Sequence, residues 1–174
     1  MNIKNKIVYA ILEGTWLSPI YVAMGADGLV AVELGGQETT FRARIGQLTQ
    51  APVRQDQDAL RPVLDQLREF LNGKRLKFNL PIDWSNLSSF QHAVLQATSE
   101  VPPGSVVSYR EIAHQIGKPG AARAVGQALS HNPMPLIIPC HRVLTVNGSL
   151  RGYGGKGGVK TKRALLELEG AHLP

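Results

Sequence analysis

The 174-residue chain holds a single cysteine, Cys140, within Pro139-Cys140-His141-Arg142-Val143. A free thiol is mostly protonated near neutral pH, so a nucleophilic cysteine needs a base or a cation close by, and His141 and Arg142 supply one of each. Without such neighbours a lone cysteine is ordinarily an inert, small, buried side chain. The segment is stiffened by Pro133, Pro135 and Pro139, and the apolar pair Val143-Leu144 after it reads as a short strand. Adjacent side chains of an extended segment diverge, so His141 reaches the sulfur through a water or a bend in the backbone. An acid that fixed the imidazole tautomer would complete a Cys-His-acid relay. Glu169 is the candidate, because it falls in the last turn of a C-terminal helix, where the helix dipole disfavours an anion. A solvated surface carboxylate is the plainer reading of that residue.

These groups need elements to hold them. From Phe90 the pattern turns helical, with Phe90, Ala93, Val94 and Ala97 on one face and a stop at Val101-Pro102-Pro103-Gly104. Ser108 and Glu111 form a capping box for a short helix carrying Ile112, Ala113 and Ile116, which Gly117-Lys118-Pro119-Gly120 ends. A second helix follows over 121–131. Its Val125 and Leu129 face a core, while Ala121, Ala122, Ala124, Gly126 and Ala128 leave it thin around Arg123 and Gln127. A thin helix with one long cation suits close approach to a nucleic-acid groove, and tight packing inside a protein explains the small residues as well. The helix pair has the form of a helix-turn-helix, a corner that many proteins share.

The N-terminal part reads differently. Runs at 7–12, 20–24 and 29–34 are strand-like, Gly25-Ala26-Asp27-Gly28 joins the last two as a hairpin, and a helix over 58–71 presents Leu60, Val63, Leu64, Leu67, Phe70 and Leu71. The expected organisation is an α/β domain at 1–80, a linker at 81–89, and a mainly α, winged-helix-like domain at 90–174. Charge divides the same way: residues 1–100 carry ten Lys and Arg against ten Asp and Glu, and residues 101–174 carry nine against three. The whole excess of +6 therefore lies in the C-terminal part, which suits a polyanionic partner. One cysteine excludes an intrachain disulfide and a multi-cysteine zinc site. Glu13 interrupts the apolar N-terminal run and no stretch reaches bilayer-spanning length, so a soluble, cytoplasmic protein is expected.

The run Pro139-Cys140-His141-Arg142-Val143, with Arg123-Ala124-Val125-Gly126 and Asn132-Pro133 before it and Gly152-Tyr153, Lys160 and Leu165-Leu166 through Glu169-Gly170 after it, resembles the O6-alkylguanine-DNA alkyltransferase family. The likeness covers residues 90–170 in blocks of compatible order and spacing; the first 75 residues share only the general α/β pattern. It implies irreversible, stoichiometric transfer of an alkyl group, typically methyl, from O6 of a guanine flipped out of double-stranded DNA to Cys140. O4-alkylthymine as a further substrate is left open.

By the same resemblance, His141 is a water-mediated base, Glu169 its acid, and Asn132 a hydrogen-bonding brace of the turn, a role compatible with capping the preceding helix. Tyr109 displaces a phosphate and protonates the departing guanine. Arg123 fills the gap left by the flipped base, on a helix whose Ala121, Ala122, Gly126 and Gln127 lie in the minor groove. Met134, Pro135, Tyr153, Gly154 and Gly155 line the base pocket; some relatives carry Ser where Gly154 stands. No cofactor or metal is implied, and the partner is DNA bound by a monomer, with cooperative binding left open. A lesion-binding protein without transfer is the nearest alternative, which Cys140 argues against, and a Cys-His hydrolase is the more distant one.

Overall fold

The structure, a computed structural model, describes residues 6–155 and 157–171. The chain divides into two compact units, Met1–Asn86 and Leu87–Pro174. Among the described residues no helix is long and apolar enough to cross a membrane.

The first unit is a four-stranded sheet with two helices. Strands β1 (Ile7–Leu12), β2 (Ile20–Gly25) and β3 (Gly28–Leu34) form an antiparallel meander, and β4 (Val53–Gln55) adds to β1 in parallel, giving the order β3-β2-β1-β4. β1 and β2 bury residues on both faces, as a sheet covered on both sides requires. Helix α1 (Glu38–Thr49) closes one face: Phe41 and Ile45 pack with Ile7, Tyr9, Tyr21, Ala23, Val30 and Ala31, and Tyr21 stacks on Phe41 at 5.4 Å. Helix α2 (Arg61–Leu71) packs against β1 through an apolar stripe of Val63, Leu64, Leu67, Phe70 and Leu71. It starts three residues later than the sequence pattern suggests, because Asp58-Ala59-Leu60 forms a turn and Pro62 then starts the first helical turn.

Segment 81–83 is bound to this unit. Leu29 N–H donates to Pro81 O at 2.8 Å, and Asp83 N–H donates to Leu29 O at 2.9 Å. The chain passes so close to Gly28 that a Cβ there would lie 2.7 Å from Pro81 C and O, and Gly28 has φ of +135°. Only glycine meets both conditions without strain.

The second unit is mainly helical. Helix α3 (Ser89–Ser99) is capped by Ser88, whose hydroxyl accepts from Gln91 N–H, and buries Val94, Leu95, Ala97 and Thr98. A two-residue strand β5 (Val107–Ser108) leads into α4 (Tyr109–Gln115), capped by the Ser108–Glu111 box. Gly117, at φ +70°, ends α4 with Gly117 N–H on His114 O and Lys118 N–H on Ala113 O. Helix α5 (Ala122–Ser130) then packs on both α3 and α4 through Val125, Ala128 and Leu129. A 3₁₀ turn at Cys140–Arg142 runs into β6 (Val143–Leu144), which pairs in parallel with β5. Helix α6 (Gly158–Leu168) completes the unit and packs on that 3₁₀ turn.

Gly28→Ala should destabilise the first unit by about 1–3 kcal/mol, the combined cost of an unfavourable φ and a clash with backbone. Urea denaturation of the two proteins measures this; an unchanged midpoint would contradict the close approach of Pro81.

Candidate functional site

Cys140 owes its place to the turn before it. Asn132 Nδ2 donates to Ile138 O at 2.9 Å and its Oδ1 accepts from Met134 N–H at 3.0 Å, so one side-chain amide ties both ends of segment 132–138. Ile138 O also accepts from Cys140 N–H at 2.8 Å, which begins the tight turn. Cys140 to Arg142 are therefore not extended, as the sequence reading supposed. The bend sends His141 and Arg142 inward toward the end of α6 while Cys140 lines a cavity. Cys140 is 9% exposed and His141 is fully buried.

Behind the cysteine lies a sealed ion cluster. His141 Nε2 is 2.9 Å from Glu169 Oε1. Arg142 grips the same carboxylate from the side, with Nε on Oε2 at 2.9 Å and Nη2 on Oε1 at 2.8 Å, and its Nη1 donates to Val101 O. Glu169 caps α6, and the Arg142 guanidinium neutralises the charge that the helix dipole opposes. Arg142 is thus not the cation of the thiol, as the sequence reading offered. That place belongs to Lys162, which the sequence reading passed over. Its ammonium, on a residue only 1% exposed, donates to Val143 O at 2.7 Å and Arg151 O at 3.2 Å and lies 5.9 Å from the Tyr109 ring centroid. A lysine at the buried face of an amphipathic helix, three residues before the pair Leu165-Leu166, was the available signal.

The charges follow from this geometry. Burial alone would raise the Glu169 carboxyl, but hydrogen bonds and positive charge from His141 and Arg142 prevail and hold it at about 2. Burial lowers the His141 imidazole; Glu169 pulls it upward, and the charges of Arg142 and Lys162 oppose that pull, leaving it below its ordinary value. The ring is therefore neutral at pH 7. Because Nε2 faces a carboxylate, it carries the proton, and Nδ1 keeps a free lone pair. Burial also raises the Cys140 thiol, against the Asn132 amide, the Lys162 charge and its own backbone hydrogen bond. Lys162 is brought down by burial to about 8, and the Cys140 charge resists that fall. At rest the sulfur keeps its proton, with the His141–Glu169 pair behind it and the Lys162 charge acting on it.

The cavity at Cys140 has a volume of about 330 Å³. Tyr109, Gly126, Leu129, Ser130, Arg151, Gly152, Tyr153, Gly154 and Lys162 form its other walls. Gly126 forms its wall on the α5 side, where a Cβ would make ordinary contact with the Tyr109 ring at 3.7 Å. Of the residues read from the sequence as pocket walls, Tyr153 and Gly154 stand in it. Met134, Pro135 and Gly155 do not; Met134 is fully buried, because the Asn132 bond to its N–H turns it into the core. On α5, Arg123 and Gln127 are exposed, while Ala121 and Ala122 are half-buried at its start.

A cysteine on the wall of a cavity, with a buried His141–Glu169 pair behind it and a short helix pair beside it, fits the class of proteins that use a thiol as nucleophile or group acceptor. Residues 7–84 match the family model described as the 6-O-methylguanine DNA methyltransferase, ribonuclease-like domain, and residues 89–171 match its DNA binding domain. The chain is 47% identical over 119 residues to the methylated-DNA–protein-cysteine methyltransferase of Mycobacterium tuberculosis, covering 68% of this chain and 70% of that one. It is 40% identical over 153 residues to the inducible enzyme of the same name from Bacillus subtilis, covering 86% and 83%. The structure superposes on Mycobacterium tuberculosis OGT in complex with DNA with a TM-score of 0.78 at 36% identity, covering 95% and 92%. The chain belongs to the 6-O-methylguanine DNA methyltransferase family.

Acid should loosen this site in a defined window. Glu169 is held below its ordinary 4.5, so the stability it contributes is complete above that value and is lost as pH falls toward 2, a loss on the order of 3 kcal/mol. His141 acts in the same direction from about pH 6.5 downward, because the unfolded chain takes up a proton that the buried ring refuses. Melting temperatures from pH 7 to pH 3 should fall more steeply for the native chain than for Glu169→Gln, which starts lower. Parallel curves would contradict the assignment.

Proposed function

We propose that Cys140 is the acceptor in the family's reaction and that the chain repairs DNA by taking an alkyl group, typically methyl, from O6 of guanine onto that sulfur. The observation that carries this reading is the only cysteine of the chain lining an open cavity with His141 and Glu169 sealed behind it. A lesion-binding protein that does not transfer would have no use for the thiol.

The target atom is inside a stacked duplex, so the nucleotide rotates out into the cavity, at a cost of a few kcal/mol that is lower for a poorly paired, damaged base. The solved complex of the Mycobacterium tuberculosis relative with DNA supports duplex binding, and α5 is the element we assign to it, with exposed Arg123 filling the vacated stack. Small residues at Ala121, Ala122 and Gly126, beside Gln127, allow the backbone to approach the minor groove. Phosphate contacts by the basic second unit supply affinity with little dependence on sequence, and binding by a monomer suffices.

In the cavity Tyr153 and Gly154 flank the base, and the sulfur faces its O6 substituent. The neutral His141 draws the thiol proton through a water, Glu169 stabilises the resulting imidazolium, and the Lys162 ammonium and Asn132 amide stabilise the thiolate. In-line attack forms the sulfur–carbon bond and breaks the carbon–oxygen bond, and the electron pair leaves with the guanine. Tyr109, whose hydroxyl is kept protonated by burial and by the Cys140 charge, supplies a proton to the departing ring. The product is a thioether, which offers water no electrophilic carbonyl, so each molecule acts once.

Incubated with duplex DNA carrying O6-methylguanine, the native chain should gain the mass of one methyl group on Cys140 and no more. Cys140→Ser should gain none. Methyl transfer by the serine variant, or repeated turnover by the native chain, would overturn the reading.

Arg123→Ala should slow repair of duplex DNA at least tenfold while leaving the rate on the free base O6-benzylguanine unchanged, since no base stack needs filling there. Stopped-flow measurement on both substrates separates the effects, and equal slowing on both would remove Arg123 from the duplex.

A further inference from the structure

Among the described residues, two buried side-chain polar atoms have no hydrogen-bonding partner: Nδ1 of His141 and the hydroxyl oxygen of Tyr153. Buried polar groups are almost always satisfied, and an orphan in a functional cleft marks where a further group binds. Both orphans belong to one place. The Tyr153 ring stands edge-on to the His141 ring, 82° between planes with centroids 6.4 Å apart. Tyr153 and Cys140 line the same cavity. The residue as a whole is half-buried while its oxygen is cut off from solvent, so the polar end of the phenol is directed inward.

We propose that the Tyr153 hydroxyl is a positioning residue of the proton relay: with His141 Nδ1 it brackets one water site beside the Cys140 sulfur and donates a hydrogen bond to the oxygen of the water that carries the thiol proton. This inference deepens the alkyl-transfer reading and rests on it. It adds to the part of Tyr153 in flanking the base, which needs only the ring. The water accepts the Cys140 proton and passes one of its own to Nδ1, so the S–H bond breaks, an N–H bond forms, and the electron pair stays on sulfur. Tyr153 keeps its own proton throughout. Burial and the charges of Cys140 and Glu169 hold that phenol well above its usual range, which keeps it a donor and never a competing anion.

The electrostatic surroundings fit this assignment. Lys162 of α6 and Glu169 at its end, His141 and Arg142 of the 3₁₀ turn, Tyr109 of α4 and Arg151 before the loop surround the sulfur. The buried charged groups of this set have their partners. Glu169 takes His141 and Arg142, Lys162 takes two carbonyls, and Tyr109 faces the cavity where the base enters. Among the described residues, only these two buried side-chain polar atoms lack a protein partner, and they belong to neighbouring rings.

Tyr153→Phe keeps the ring and removes the hydroxyl. Since the chain has one cysteine, iodoacetamide labelling reports Cys140 alone. The pH profile of labelling should move to higher pH in the variant, with a rate about tenfold lower at neutral pH, the effect of one unit in the thiol. In single-turnover repair of O6-methylguanine DNA the maximal rate should fall by a similar factor, with the half-saturating DNA concentration unchanged. Adding Tyr153→Phe to His141→Gln should slow labelling no further, because members of one relay are not additive. An unmoved pH profile, or a loss confined to DNA affinity, overturns the proposal and leaves Tyr153 as a wall. If the native chain takes no methyl from DNA, the alkyl-transfer reading fails instead, and the labelling profiles still judge the hydroxyl. Melting temperatures of both variants verify folding, and should Tyr153→Phe melt early, the same profiles taken below its transition decide the outcome.

Discussion

The second unit is organised around one buried carboxylate. Glu169 sits at the end of α6, and its two oxygens receive three donors from a 3₁₀ turn that lies 27 and 28 residues earlier in the chain. A carboxylate taken out of water costs several kcal/mol unless its charge and lone pairs are met, and removal of one partner leaves the other charge stranded. The cluster is therefore present whole or not at all. That condition fixes the rotation of α6 and the curvature of the turn together, and Cys140, one residue before His141, inherits its direction from both. Arg142 extends the same tie to Val101, two residues past the end of α3. One ion cluster thus joins three elements and leaves the sulfur facing outward while everything behind it is sealed.

The cluster also explains why a neutral imidazole stands next to an ionised carboxylate. A His-Glu pair isolated in a protein ordinarily raises the imidazole, since the two charges attract. Here Arg142 already neutralises Glu169, and Lys162 adds a second cation close to the ring, so burial decides and the ring stays neutral. The arrangement makes His141 a base with its lone pair on Nδ1 and a fixed donor on Nε2. It also keeps the thiol protonated until something draws the proton away. In the proposed reaction each molecule acts once, and a permanently ionised sulfur would be exposed to every passing electrophile. On that reading, a buried, protonated sulfur with its activating groups already arranged limits reaction to substrates that fill the cavity.

The parts legible from sequence were those carried by local signals. The capping box of Ser108 and Glu111, the glycine stop at Gly117 and the amphipathic stripe of α2 are each written within a few residues, and each is found in the structure. Helix α1 was not read from the sequence: it has no capping side chain, and of Phe41, Ile45 and Leu48 at helical spacing only the first two are buried. Within the site, a Cys-His relay calls for an acid, and the place of Glu169 at the end of α6 together with the family resemblance singled it out. The true partner of Arg142 was not legible, since the direction of each side chain in that segment depends on the backbone, and the 3₁₀ turn, which rotates successive residues by about a third of a turn, sends Arg142 to Glu169 rather than toward the sulfur. Lys162 was missed for a related reason. A buried lysine is rare, and what makes this one tolerable is a pair of backbone carbonyls, at Val143 and Arg151, whose convergence is a property of the fold alone.

The turn that presents Cys140 stores strain. Leu136 has φ of +74°, a conformation that a branched side chain adopts at a cost of order 1–3 kcal/mol, yet it is almost fully buried. The left-handed residue folds the chain back so that Ile138 N–H reaches Met134 O at 2.9 Å and Ile138 O becomes available to both Asn132 and Cys140. Asn132 bridges the two ends of that loop, and the buried Met134, Leu136, Ile137 and Ile138 anchor its floor. Hydrophobic burial of four large side chains, about 1.5–3 kcal/mol each, exceeds the strain at Leu136 and offsets it. An asparagine is suited to the bridge because its amide offers an acceptor to one end and two donors to the other, one for Ile138 O and one for the sulfur. An aspartate in its place would lose both donors and set a negative charge against the thiolate. The same side chain that holds the strained turn closed therefore also favours the ionised sulfur, which couples the shape of the turn to the reactivity of the residue it presents.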